Sequence, residues 1–331
     1  MPADVFLTGG SGLVGGHLLD ALVRDGSSVN ALCRSDGAAS VAEGLGGSVV
    51  RGDVFDEDAL KEGMWGVDIV YHVAGVNDTC PRKSGAMDRV NVDGTRSVIR
   101  AARVAGVRRV VYTSSAAAIG EAEGMIGVEH TVHSGEYLSA YARSKHLAEL
   151  AAFEEAERLG IDLVAVNPSS VQGPGRATGS AEMLLQVLNA KRPLLVDTHL
   201  SIVDIEDCTT GHINAAKHGR AGERYILSGA TLKVSEAVSL LQDASDRQIN
   251  PRWLTEGLVR SLGIPAAGLL ATVRPSMGVC PGLVRTLLHG HKFDGSKATR
   301  DLHFPYTDIS NTIARTVSWF NDQGLIRPVE S

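Results

Sequence analysis

Tyr141 and Lys145 stand four residues apart in YARSKHLAE. On a helix that spacing puts both side chains on one face. A phenol titrates at about 10 in isolation, and a neighbouring ammonium favours the phenolate, so the two together make a proton donor or acceptor usable near neutral pH. YxxxK alone also arises on solvated helix faces, so the pair gains meaning only beside a group whose chemistry needs a proton. TGGSGLVG, Thr8 to Gly15, points to such a group. Gly10, Gly12 and Gly15 satisfy G-x-G-x-x-G, and Gly9, Gly12 and Gly15 give G-x-x-G-x-x-G. VFLT before the glycines reads as a strand and Leu13 to Arg24 after them as a helix. At such a turn the backbone approaches a pyrophosphate without an intervening Cβ, and the helix N-terminus offers free N–H groups and the positive end of its dipole. The expected ligand of this turn is a dinucleotide.

The end of the second strand bears on which one. An NAD-selective site usually places an acid there for the ribose hydroxyls. Here SVNALCRSDG ends in Cys33 and Arg34, and Arg34 with Ser35 is suited to a 2′-phosphate, which favours NADP. Asp36 is near enough to keep NAD as an alternative. Asp53, ending the third strand, is placed to accept from an adenine amino group.

These groups need a frame to hold them. Short apolar runs alternate with helical stretches through the first half, the pattern of a parallel sheet covered on both faces. The strand candidates are 5–8, 29–34, 49–53, 69–73, 110–114 and 163–167, with helices expected over 13–24, 88–105 and 138–159. PSSVQGPGRATGS then forms a long loop of Gly, Pro and Ser, followed by a helix near 182–189 and a mixed region that includes HLSIVDIEDC. The fold class expected is α/β: a Rossmann-type doubly wound parallel sheet with a smaller C-terminal substrate-binding domain. Residues 1–170 form the dinucleotide unit, with a return segment near 200–230, and 171–331 the substrate region, interleaved with it.

Composition narrows the function classes. A net charge of −6 over 331 residues gives no basic footprint for nucleic acid. No apolar run approaches the roughly 20 residues of a membrane span, and the N-terminus shows no basic region followed by an apolar signal core. Cys33, Cys80, Cys208 and Cys280 lie far apart without CxxC spacing, so neither a disulfide framework nor a zinc site is expected, and a cytoplasmic location fits.

Taken in order, TGGSGLVG, GDV (52–54), YHVAG (71–75), RVNVDGT (89–95), VVYTSSA (110–116), YARSK and NPSSVQGPG (167–175) resemble the extended short-chain dehydrogenases/reductases, the group that includes dihydroflavonol reductases and nucleotide-sugar epimerases. The resemblance implies Tyr141 as acid/base, Lys145 as the residue that binds the nicotinamide ribose and lowers the Tyr141 pKa, and Ser115 as the hydroxyl that holds the substrate oxygen, with Ser114 its rival. It implies cofactor contacts from Thr8, Gly9, Gly12, Leu13, Val14, Gly15, Arg34, Ser35, Asp53, Val54, Val73, Ala74, Gly75, Pro168, Ser170 and Val171. Asn91 matches a family Asn that holds a water near Lys145, and a satisfied structural amide is the equal alternative. Dimers through the helices near 88–105 and 138–159 are common in the family.

Departures from the family patterns bear on the reaction. Sugar 4,6-dehydratases carry two acids after the Ser/Thr, where this chain has Ala116 and Ala117, so that elimination lacks its acid and base. Nucleotide-sugar epimerases usually show a Tyr where Ile119 stands. Arg34 and FDGSKATRDLHF resemble the dihydroflavonol-reductase-like proteins. The leading expectation is an NADP(H)-dependent carbonyl reductase or alcohol dehydrogenase acting on a small-molecule ketone or aldehyde. The alternatives are an NAD-dependent nucleotide-sugar epimerase and, in another class, a dinucleotide-binding sensor without catalysis, against which the intact Ser115, Tyr141 and Lys145 argue. Substrate candidates are Asn77, Thr79 and Gln172, with Cys80, His130 and His133 nearby in the loops. His289 and His291 lack a third ligand in sequence and read as a solvated turn, so no metal is expected. Asp207 reads as the N-cap of TTGHINAA.

Overall fold

Every residue of VFLT is buried, as a strand at the centre of a parallel sheet must be. The computed structural model describes residues 4–328. The first half runs β1 (Val5–Thr8), α1 (Leu13–Arg24), β2 (Val29–Cys33), α2 (Asp36–Gly44), β3 (Ser48–Arg51), α3 (Glu57–Gly63), β4 (Ile69–His72), α4 (Ser84–Asp88), α5 (Gly94–Val104), β5 (Arg109–Thr113), α6 (Ala140–Leu159) and β6 (Asp162–Pro168). Then follow β7 (Ser170–Gln172), α7 (Ser180–Asn189), β8 (Leu194–Leu195), β9 (His199–Asp204), α8 (Ile205–His218), β10 (Arg224–Leu227), β11 (Ala230–Lys233) and α9 (Val234–Ser245).

Seven strands make one parallel sheet in the order β10-β6-β5-β4-β1-β2-β3. Alternation along β1 divides the core: Val5 and Leu7 pack with Leu18, Leu19 and Cys208 of α1 and α8, while Phe6 packs with Leu60, Val98 and Ala148 of α3, α5 and α6. That two-faced burial makes the Rossmann-type arrangement, and the return strand β10 completes its edge. Strands β7, β9 and β11 form a second sheet, β9 parallel to β7 and antiparallel to β11. Against it lies a third cluster of Leu184, Leu188, Leu241, Val317 and Phe320.

Several expectations need correction. Strands β2 and β3 stop at Cys33 and Arg51, so Arg34 and Asp53 sit in the loops just past the strand ends. The helix expected over 88–105 is interrupted by a π-turn at Arg89–Asp93. Helix α8 begins at Ile205, earlier than expected, and its cap is Asp204, whose carboxylate accepts from the Glu206 N–H at 2.8 Å. Asp207 is not the cap and accepts instead from the Thr307 N–H and hydroxyl at 2.7 and 2.9 Å. Cys80 and Cys280 are joined in a disulfide 200 residues apart in sequence, which the cysteine spacing did not foretell. Spacing in sequence measures nothing here, because the chain beyond residue 250 folds back over the loop that follows β4. Cys33 and Cys208 are buried free thiols. Among the described residues no helix is long and apolar enough to cross a membrane.

Candidate active site

The glycine turn is fixed by close backbone approach. Gly9, at φ +79°, lies so near the exit of β4 that a Cβ would stand 2.7 Å from the Ala74 N. A Cβ on Gly15 would stand 2.1 Å from the Gly9 carbonyl oxygen, so the start of α1 packs directly on the turn. Gly12 has no side-chain cap and opens α1 with unfilled N–H groups at the mouth of a cleft of about 1730 Å³.

All the residues assigned above to cofactor contact line this one cleft, from Thr8 through Val171. Ser115, Tyr141 and Lys145 line it as well, with Asn77, Thr79 and Cys80 further along. A Cβ on Gly75 would come within 3.2 Å of Asn91 Oδ1 and 3.7 Å of Lys145 Nζ, so a side chain there would crowd the Asn91 amide beside the ammonium. These residues fit a dinucleotide: glycine backbone and a helix N-terminus at one end, Arg34 and Ser35 beyond the end of β2, and the Tyr–Lys–Ser group at the other.

Tyr141 and Lys145 lie on α6, whose N-cap Ser139 accepts from the Ala142 N–H at 3.2 Å. Burial raises the Tyr141 pKa above its ordinary value, opposed by a hydrogen bond with the Ser115 hydroxyl and by the charge of Arg176. The lowering expected from Lys145 is not what opposes burial; its Nζ donates to the Thr113 carbonyl at 2.8 Å. Burial brings the Lys145 pKa down to about 8, with Glu149 acting the other way. Ser115 caps a short 3₁₀ turn, its Oγ accepting from the Ala117 N–H at 3.2 Å. The Ser114 Oγ is buried without a partner, whereas Ser115 is the hydroxyl that reaches Tyr141.

Behind this group stands a network that the sequence did not announce. Glu149, one turn beyond Lys145 and buried, accepts from Asn167 Nδ2 at 2.5 Å and from Arg224 Nη1 at 2.7 Å. Asn167 Nδ2 also donates to the Ser115 carbonyl at 3.1 Å, so β6 and β10 hold both α6 and the serine loop. His72 bridges Thr8 and Thr95 at 2.8 and 3.0 Å, tying β1 to α5, and burial lowers its pKa to about 3. Thr8, His72, Thr95, Glu149 and Asn167 lie in the motifs noted above, whereas nothing in the sequence marked Arg224, and the pairing of all of them depends on the sheet order.

Other expectations fare differently. The Asn91 amide is satisfied by the Val76 N–H at 2.7 Å, the Val76 carbonyl at 3.0 Å and Ser144 Oγ at 2.8 Å, which makes it a structural clamp. Gln172 is 1% exposed, donates to Ser170 Oγ at 3.0 Å and does not line the cleft. His130 is exposed away from it, and His133 covers Gly120 and packs on the His146 ring at 4.0 Å. Asp36 pairs with Arg51 at 2.9 Å outside the cleft wall. His289 and His291 are not a solvated turn: Glu121 Oε1 contacts both, at 3.3 and 2.6 Å.

Comparison with known proteins places this arrangement. The NAD dependent epimerase/dehydratase family matches residues 5–228. The chain belongs to that family. A protein of Synechocystis sp. provisionally named a dihydroflavonol 4-reductase is 32% identical over 330 residues, covering 97% of this chain and 96% of its own. A Stigmatella aurantiaca enzyme named as the ketoreductase of 4-hydroxy-2-methyl-3-oxo-4-farnesyl-3,4-dihydroquinoline-1-oxide is 33% identical over 71% of both chains. The crystal structure of gox2253 superposes with a TM-score of 0.84 at 26% identity, covering 98% of this chain and 99% of that one. The protein is thus an enzyme of the NAD-dependent epimerase/dehydratase, extended short-chain dehydrogenase/reductase type, similar to reductases of small molecules.

Proposed function

We propose that this family member is an NADPH-dependent reductase of ketones or aldehydes, and that its substrates are bulky and apolar. The observation that carries the reading is the convergence of Ser115, Tyr141 and Lys145 on the glycine-turn cleft, with the methyl groups of Ala116 and Ala117 where an elimination would need carboxylates. When bound, the dinucleotide supplies or takes a hydride. Tyr141 Oη gives its proton to the alkoxide oxygen that develops on the substrate, and Ser115 Oγ donates a hydrogen bond to the same oxygen. The raised Tyr141 pKa keeps the phenol protonated at neutral pH, which suits reduction. Lys145, held by the Thr113 carbonyl, presents its charge beside Gly75 and stays protonated below about pH 8.

Preference for NADP rests on Arg34 lining the cleft while Asp36 lies outside its wall. The apolar substrate rests on the far wall, where Met183, Leu184, Val187, Leu200, Leu283 and Phe293 face the cleft, and on the farnesylated ketone named for one relative. Residues 1–170 with the return strand β10 serve as the dinucleotide unit and 171–331 as the substrate region. A homodimer through α5 and α6 is supported by Val104 and Leu150, both large, apolar and exposed there. A cytoplasmic location would set the Cys80–Cys280 pair against thiol reductants.

The test is to titrate purified protein with NADPH and NADH and then screen apolar ketones and aldehydes for loss of reduced-cofactor absorbance. Oxidation of NADPH in step with ketone reduction supports the reading. Interconversion of a nucleotide sugar with retained NAD and no net oxidation would replace it with the epimerase.

A further inference from the structure

The fold supplies the third ligand that HGH lacks in sequence. Glu121 follows the serine loop and lies 168 residues before His289 in the chain, yet its Oε1 is 3.3 Å from His289 Nε2 and 2.6 Å from His291 Nδ1. One donor atom from each of the three lies within 4.8 Å of the others. The glycine between the histidines makes this possible: Gly290 takes φ +65° and packs where a Cβ would be 2.8 Å from the His199 N, turning both rings to one side.

Charge is what makes the cluster more than a hydrogen-bonded tie. The Glu121 side chain is 1% exposed, and its second oxygen, Oε2, is buried with no partner. No Lys or Arg among the described residues pairs with it. A buried carboxylate with an orphan oxygen is costly unless a cation satisfies it. Two imidazoles and one carboxylate form a donor set suited to zinc and its first-row neighbours. Ligands at about 2.0–2.1 Å around a tetrahedral ion stand about 3.4 Å apart, which the Oε1–Nε2 separation of 3.3 Å already matches. The Oε1–Nδ1 separation of 2.6 Å is shorter than that spacing, so His291 would draw back from Oε1 to admit an ion.

We propose that Glu121, His289 and His291 form a binding site for a divalent first-row metal ion, with its open coordination position on the His291 side. His289 is 8% exposed and His291 21%, and His291 alone of the three lines the cleft. Stacking on Phe293 and the Ser201 hydrogen bond to its carbonyl hold His291 in place. Three protein ligands with one position open to the cleft would let the ion take water or a donor atom of the substrate, while pinning residues 289–291 to the loop after β5.

The probe is zinc chloride, titrated calorimetrically into the untagged, chelator-dialysed full chain with its disulfide intact. One equivalent binds at pH 7.5. The near-isosteric Glu121→Gln and the single His289→Ala each weaken binding at least tenfold, since even outer-shell changes cost about 10–100-fold. His199→Ala, a histidine on the same wall outside the triad, leaves affinity unchanged. Cobalt(II) gives visible absorption of four-coordinate intensity, which Glu121→Gln abolishes while its far-ultraviolet dichroism stays native. Absence of saturable one-to-one binding, or equal binding by Glu121→Gln, overturns the proposal and leaves the cluster as a hydrogen-bonded tie.

Discussion

Replacing Gly15 by Ala tests whether the glycine turn is a backbone-packed phosphate cradle. The added methyl would sit 2.1 Å from the Gly9 oxygen and 2.7 Å from the Gly9 carbon, where contacts under about 3 Å are not tolerated. Relief requires a shift of about 1 Å, and Gly9 cannot retreat because it already lies against Val73 and Ala74. Moving its carbonyl also breaks the turn bond from the Gly12 N–H, 3.0 Å long. Overpacking of 1–3 kcal/mol with one lost hydrogen bond of about 1 kcal/mol gives roughly 2–4 kcal/mol of destabilisation. For a chain of this size that is a fall in Tm of roughly 3–6 °C. Displacement of the α1 N-terminus costs one charge-assisted phosphate bond or more, hence a loss of about 10–100-fold in NADPH affinity. Gly16→Ala is the control: its Cβ meets nothing nearer than the Gly10 oxygen at 3.4 Å, and helix propensity favours the change. Calorimetric Tm and fluorescence titration with NADPH read both effects. A Gly15→Ala protein with native Tm and affinity, or equal damage from Gly16→Ala, would refute the packing argument.

Arg34→Ala is expected to weaken NADPH binding by about 10–100-fold and leave NADH within a few-fold, measured by paired titrations; equal losses for both would remove Arg34 from the 2′-phosphate. Reduction of Cys80–Cys280, or Cys80→Ser, frees a closed loop of some 200 residues, so chain entropy sets an upper loss of about 5 kcal/mol and a Tm roughly 7 °C lower; an unchanged Tm after verified reduction contradicts this. Burial holds His72 at about pKa 3 and His212 at about 4, below the ordinary 6.5. The unfolded chain therefore binds more protons between those values and 6.5, so stability is full above pH 6.5 and falls on acidification, by about 2 kcal/mol per histidine at pH 5. Urea unfolding at pH 7.5 and 5.0 reads the difference, and His212→Asn reduces the slope by one proton; a slope unchanged in that variant would show that His212 does not titrate as buried.

The sheet was legible because its strands are continuous apolar runs between helical stretches, a pattern set by burial on both faces. Helix α1 matches the expected range 13–24, because its apolar periodicity starts at a glycine turn and stops before Gly26. The Tyr141–Lys145 pair was legible as a pair because YxxxK places two side chains on one face whatever surrounds the helix. What escaped depends on crossing distance. The Glu149–Arg224–Asn167 network, the Cys80–Cys280 bridge and the Glu121–His289–His291 cluster each join segments that only the fold brings together. Gln172 was misplaced for a local reason: it ends β7 with its side chain 1% exposed and donating to Ser170 Oγ, just past the residues 168–171 that line the cleft. Asp207 was misread because DIED offers three acids in four residues, and which one caps α8 depends on where β9 ends.

Tyr141→Phe in a steady-state assay of NADPH oxidation with an apolar ketone tests the central claim most directly. Loss of the proton donor is expected to lower turnover by about 10²–10⁴-fold while NADPH affinity and Tm stay near those of the parent. Turnover that survives the loss of the hydroxyl would contradict the account.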